Sequence, residues 1–325
     1  MFRSLASLLL PLLCQAAQSV PDTFRASHER GEASIRKGDL KAGVAWLRQA
    51  YTIDPGNYEN AWDLATACVE TKRLEEARRI VEALLKQGDR SELHNLLGEI
   101  EEGEGHVVEA VRQFETAARS DPTEKNVFDL GSALLNSTGF QQAVQIFEFG
   151  AGKYAGSARL RVGLGIAYYS LSRYADAVET LCQAVDLNPR DTRALEFLGK
   201  MRDVAPEMGQ DVRRRLHRFA ALYPDNAAAS YYYGLSLLDA DDEAGAEARL
   251  LKAVALDPSF AEAHFQLGVL YQKRDEATKA VRELEAAVQL RPGLKAAHYR
   301  LAALYNAQGL TERAQRELEI FRALP

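Results

Sequence analysis

A chain of 325 residues that is 47% hydrophobic and 8% aromatic carries enough apolar side chains to bury a large interior, which excludes intrinsic disorder. Its 40 Lys and Arg face 46 Asp and Glu, a net charge of -6, so no global positive field draws it to nucleic acid or anionic lipid. Three Cys cannot form a disulfide framework, and abundant Ala, Leu, Glu and Arg with only ten Pro favour helices over an all-β chain.

The amino terminus differs from everything after it. Arg3 precedes an apolar run from Leu5 to Leu13, and Gln15 to Ser19 is small and polar, the order of an export signal. The run is about half the length that spans a bilayer and contains Pro11, so no stable membrane span is expected. Residues 1–19 are therefore read as a signal peptide cleaved after Ala16 or Ser19, giving a periplasmic or secreted protein. The alternative is a cytoplasmic chain in which this segment is an amphipathic start to the first helix. Cys14 raises lipidation, but Pro11, Leu12 and Leu13 lack the small residues that usually precede a modified cysteine. Cys68 and Cys182 read as small buried hydrophobes.

From residue 20 a repeat takes over. A small residue after an apolar one recurs at Gly31, Ala65, Gly98, Gly131, Gly165, Gly199, Gly234, Gly268 and Ala302, at spacings of 33 to 35. Twelve residues on, a second small residue stands at Gly43, Ala77, Ala110, Ala143, Ala177, Ala246, Ala280 and Ala314, missing only from the sixth unit. Twelve further comes Pro55, Pro122, Pro189, Pro258 or Pro292, with Pro224 displaced by one. The units start near 24, 58, 91, 124, 158, 192, 227, 261 and 295. Between the small residues lie two segments with helical apolar periodicity, such as Ala263 to Lys273 and Ala277 to Leu290. Gly38, Gly105 and Gly309 mark turns within units, and Pro stops the second helix by biasing its predecessor out of the helical region. In the sixth unit Val204 to Gln210, with Pro206 and Gly209, replaces the tight turn, so a kink or half-boundary is expected there. A lone helix pair cannot bury its apolar face, so neighbours must stack.

These residues resemble the tetratricopeptide repeat family. Leu267, Gly268, Tyr271, Ala280, Leu284, Ala287 and Pro292 match its pattern, and Leu164, Gly165, Tyr168, Ala177, Leu181, Ala184 and Pro189 match it again. The resemblance implies an all-α right-handed superhelical solenoid of about nine helix-turn-helix units over residues 20–325. It also implies a non-catalytic scaffold that binds a protein or peptide partner.

Signals for chemistry are weak. Gly163-Leu164-Gly165 lacks the preceding strand and third glycine of a dinucleotide site. The six His show no metalloprotease spacing and no Cys pair stands at ligand spacing, so no catalytic residue, metal or cofactor is expected. His94, His264 and His298 occupy equivalent places on first helices, which points to packing. Asp239, Asp241, Asp242 and Glu243 read as a solvated turn, and Arg213, Arg214, Arg215 and Arg218 as a solvated second-helix face. Asn136-Ser137-Thr138 is a formal glycosylation sequon.

The groove is what remains. In the family, fifth and ninth positions of the first helices point into the concave face. The fifth positions here are His28, Trp62, Asn95, Phe128, Val162, Glu196, Tyr231, Phe265 and Tyr299. The sequence therefore nominates Trp62, Phe128, Tyr231, Leu235, Phe265, Val269 and Tyr299 as a partner-binding surface, with Glu262 and Lys273 flanking its carboxyl-terminal part. The same aromatics could instead pack between neighbouring first helices. Lys200 alone at a ninth position argues against clamping of a peptide carboxylate. The last helix, Thr311 to Ala323, carries enough charge to act as its own polar cap, so a monomer is expected. A self-assembling repeat protein and an accessory subunit of an envelope enzyme or secretion complex are the competing readings.

Overall fold

The computed structural model describes residues 23–204 and 209–325. The predicted signal peptide lies outside the described residues, as do 205–208 of the irregular turn. The described residues form eighteen helices and no strand. They fall into two compact units, one ending at Asp121 and the other beginning at Pro122.

The first unit holds three helix pairs: α1 (Phe24–Arg36) with α2 (Leu40–Ile53), α3 (Tyr58–Glu70) with α4 (Leu74–Leu85), and α5 (Ser91–Gly103) with α6 (Val107–Ser120). The second holds six: α7 (Glu124–Asn136) with α8 (Phe140–Lys153), α9 (Ala158–Ser170) with α10 (Tyr174–Leu187), α11 (Arg193–Val204) with α12 (Gly209–Leu222), α13 (Ala227–Leu238) with α14 (Glu243–Leu256), α15 (Ala261–Lys273) with α16 (Ala277–Leu290), and α17 (Lys295–Ala307) with α18 (Thr311–Ala323). Each pair is one sequence repeat, and within each unit consecutive pairs stack as a helical-repeat solenoid.

Local chemistry sets the boundaries. Thr23, Asn57, Thr123, Ser157 and Asn226 cap first helices by accepting a backbone N–H three residues on. The residue before each unit-ending proline is held in extended backbone: Asp54, Asp121, Asn188, Asp257 and Arg291 have φ of -136, -142, -143, -135 and -134°. The fifteenth residue of every repeat whose internal turn is described is left-handed. Gly38, Gly105 and Gly309 fill it without strain, but Lys72, Thr138, Ser172, Asp241 and Asp275 fill it too, with φ between 57 and 62°.

The small residue at the eighth position is a socket. A Cβ on Gly31 would lie 2.6 Å from Leu47, on Gly98 2.6 Å from Phe114, on Gly131 2.6 Å from Phe147, on Gly165 2.6 Å from Leu181 and on Gly268 2.6 Å from Leu284. In every case the plug is the twenty-fourth residue of the same repeat, so the two positions form one close-packed joint. The plugs Leu47, Phe147, Leu181 and Leu284 are fully buried.

The sixth repeat breaks this rule and repairs it from outside. Its turn is one residue longer, so the plug register, the eighth residue of the second helix, falls on buried Leu216, while Arg215 just before it donates to Asp211 and Glu179. The Gly199 socket is filled instead by Tyr232 of the next repeat, whose ring stands 2.5 Å from where a Cβ would be. Tyr232 is the sixth residue of its repeat. At the same position of the fifth repeat stands Gly163, which makes room for Phe147, so the two joints conserve volume in opposite ways. Cys68 and Cys182 are buried, and desolvation pushes both thiols up to about 12, consistent with packing and not reactivity.

Candidate functional site

An open cleft of about 1060 Å³ lies over α11, α13 and α15 of the second compact unit, with Gly199 and Tyr232 both in its lining. Its apolar floor is aromatic: the Tyr231 ring lies 4.9 Å from Tyr232 and 4.7 Å from Phe260, with Leu235 beside them. Burial holds the Tyr232 hydroxyl well above its ordinary range, so it remains a neutral donor at physiological pH. Asn226 supports one wall. Its side-chain oxygen accepts from the Ala229 N–H at 2.9 Å while its amide donates to the Pro189 carbonyl.

The rim is charged and asymmetric. Glu262 is neutralised by Arg291. Arg190 and Lys200 line the cleft together with Glu196, Asp225 and Asp257, and neither cation makes an ion pair with a described carboxylate; the Lys200 ammonium sits 4.5 Å over the Phe197 ring. No His or Cys lines the cleft. The arrangement suits recognition of an apolar side chain flanked by charged or polar groups.

Of the residues nominated by the sequence, the structure brings Tyr231 and Leu235 together in this cleft and leaves the other five outside it. Trp62 is half-buried against the core of the first compact unit. Phe128 packs edge-on against Phe147 at 6.1 Å and carries Arg159 4.8 Å over its ring. Phe265 packs against the carboxyl-terminal core cluster, and Val269 is half-buried. Tyr299 is 57% exposed and leans on Phe321 of α18 at 5.4 Å. The flanking charges are engaged as well, Glu262 with Arg291 and Lys273 with Glu243. Sequence reasoning missed Tyr232, Phe260 and Arg190. The sequence signal that this pair closes differently was the missing second small residue of the sixth unit, where Val212 stands once the longer turn is counted.

The remaining sequence motifs are structural. His264 and His298 contact Glu283 and Glu317 of their own second helices at 2.8 and 2.6 Å, and His94 contacts Gln113 at 2.8 Å. Asp242 caps α14, and Glu243 binds Lys273 and Arg274. The tyrosines at the eleventh position tie repeats together. Tyr168, Tyr271 and Tyr305 donate to Glu148, Glu247 and Glu285 of the preceding repeat's second helix.

Paired antiparallel helices of about 34 residues, joined socket to plug and stacked in series, define a helical-repeat solenoid, a class that is typically non-catalytic and binds protein partners. Models of the tetratricopeptide repeat match residues 34–100, then 128–192, 164–202 and 213–259, then 261–293. The chain belongs to the tetratricopeptide repeat family. No curated protein matches it. Among solved structures it is similar to a tetratricopeptide repeat protein from Parabacteroides merdae, with 14% identity, TM-score 0.49 and coverage of 90% of this chain and 98% of that one. The C-terminal part of a TPR repeat-containing protein from Cytophaga hutchinsonii matches at 18% identity and TM-score 0.49, covering 84% and 97%. The MamA protein matches at 23% identity and TM-score 0.40, covering 50% and 89%. Among the described residues no helix is long and apolar enough to cross a membrane.

Proposed function

We propose that this chain is an exported, non-catalytic scaffold that holds an extended peptide segment of a partner protein in the cleft over α11, α13 and α15. The observation that carries this reading is the cleft itself: an aromatic floor of Tyr231, Tyr232 and Phe260 beside two cations, Arg190 and Lys200, that make no direct ion pair with a described carboxylate. Such a floor takes an aromatic or branched apolar anchor, and a neighbouring acidic residue on the peptide meets the cations. Export rests on Arg3 and the run from Leu5 to Leu13.

The test is a selection of displayed peptides on the full chain, followed by titration of the selected peptide against variants. Lys200→Glu and Arg190→Glu, both at exposed positions, should each weaken binding about tenfold without lowering the melting temperature. Phe265→Ala should lower the melting temperature while affinity per folded molecule stays the same. Undiminished binding by both charge-reversed variants overturns the cleft as the site.

A further inference from the structure

The first compact unit carries a second constellation that peptide binding does not use. His28 and Glu32 stand one turn apart on α1, and Glu59 and Asp63 stand one turn apart on α3, so each helix presents a pair of potential ligands on one face. Donor atoms of His28, Glu32 and Glu59 lie within 4.8 Å of one another. The His28 Nε2 is 4.0 Å from Glu32 Oε1 and 4.0 Å from Asp63 Oδ2.

Residues outside the cluster fix the imidazole tautomer. Asn60 is fully buried, and its amide Nδ2 donates to the Leu47 carbonyl at 3.1 Å, which turns its Oδ1 toward His28. The Nδ1 of His28 therefore carries the proton and donates to that oxygen at 3.0 Å. The Nε2 lone pair is left facing carboxylate oxygens. At 4.0 Å neither oxygen could accept a hydrogen bond from it. Two donors about 2.1 Å from a shared ion lie roughly 3.4 Å apart at a tetrahedral angle, so donors now 4.0 Å apart must close by roughly half an ångström around an ion. The long side chains of Glu32 and Glu59 can supply the remaining adjustment. A hydrogen-bond partner on Nδ1 that orients a ligating histidine is the usual support of such a site.

Charge points the same way. Arg36 donates to Glu32 Oε2 at 3.4 Å and leaves Oε1 toward the imidazole, and Glu59 and Asp63 add two further carboxylates nearby. The similar group of Glu101, Glu104 and His106 differs decisively. There Arg78 donates to both Glu101 and Glu104 at 2.6 Å and already supplies the cation.

We propose that His28, Glu32 and Glu59, joined by Asp63 from beside the imidazole, bind one divalent cation of borderline softness, of the Zn²⁺ type, which clamps α1 to α3. An imidazole nitrogen among carboxylate oxygens favours such an ion over a purely oxygen-seeking one. Sequence reasoning expected no metal, because each helix offers only two ligands and the set is completed across two repeats.

The experiment titrates the metal-stripped full chain with Co²⁺, read by its visible absorption, and then with Zn²⁺ as competitor. One equivalent should bind, Zn²⁺ should displace it, and the melting temperature should rise with metal. His28→Ala and Asp63→Asn should each weaken binding at least about tenfold, whereas His106→Ala should leave it unchanged. Circular dichroism checks the fold, and if His28→Ala fails to fold, the shape-conserving Asp63→Asn decides. Absence of uptake, uptake undiminished in Asp63→Asn, or loss of uptake in His106→Ala overturns the proposal.

Discussion

Thr138 illustrates how a single residue stores cost in this fold. It occupies the left-handed fifteenth position with φ 62°, where a β-branched side chain is disfavoured and glycine is free. Thr138→Gly is expected to stabilise the protein by about 0.5–1 kcal/mol in a denaturant melt. The eighth position behaves oppositely. Gly131→Ala would place a Cβ 2.6 Å from the Phe147 ring, and a loss of about 1–3 kcal/mol is expected from the same measurement. Among the charged groups, Glu101 is held below the ordinary carboxylate range, chiefly by its hydrogen bond from Arg78 and further by His106. A depressed folded-state pKa means that the pair stabilises the protein above the unfolded pKa and that this contribution is lost as pH falls through the folded value. Glu101→Gln should therefore lower the melting temperature at pH 7. The difference from wild type should shrink below roughly pH 4 and vanish at lower pH, where both states protonate the wild-type carboxyl.

Among the elements, α11 and α12 form the exceptional pair. Every other described pair whose eighth residue is glycine closes with its own plug, whereas α11 gives its Gly199 socket to Tyr232 of α13. The α12 helix is anchored by buried Val212, Leu216 and Phe219 and by the Arg215 contacts to Asp211 and Glu179. A pair without its internal joint should open locally at lower free energy than its neighbours. Amide exchange across α12 should accordingly be at least about tenfold faster than across α16, read by mass spectrometry of the intact chain. Equal protection would show that Tyr232 restores the whole joint. The pairing of helices was legible from the 34-residue rhythm, and Lys72, Ser172, Asp241 and Asp275 show where that reading was incomplete. Glycine advertises a left-handed turn in the sequence, but these residues adopt one because the helices on either side leave no alternative.

On the scale of the whole molecule, the two compact units each have their own buried clusters: Val44 to Ile100 in the first, and Val127 to Ala229 and Tyr231 to Ala314 in the second. Stability in repeat proteins is a sum of repeat and nearest-neighbour contributions. A fragment comprising residues 122–325 is thus expected to fold cooperatively and to keep its peptide affinity within about twofold, as checked by thermal melting and titration. Loss of helicity in that fragment would count against independent units. The export proposal is checked by mass spectrometry of the native protein, with an amino terminus near Ala17 or Val20 expected and an intact Met1 decisive against it.

The sequence by itself determined the helices, their pairing and their succession, because caps, apolar periodicity, prolines and small residues act over one repeat and are written in it. It also named Tyr231 and Leu235. Only the tertiary structure decided that they share a cleft with Tyr232, Phe260, Arg190 and Lys200, and that His28 meets Asp63. Both outcomes depend on filling space between repeats: the Gly199 socket of one repeat is filled by Tyr232 of the next, and ligands are supplied in halves by two helices. Volume and charge balanced across a stacking interface belong to neither repeat alone, so no pattern within a repeat reveals them.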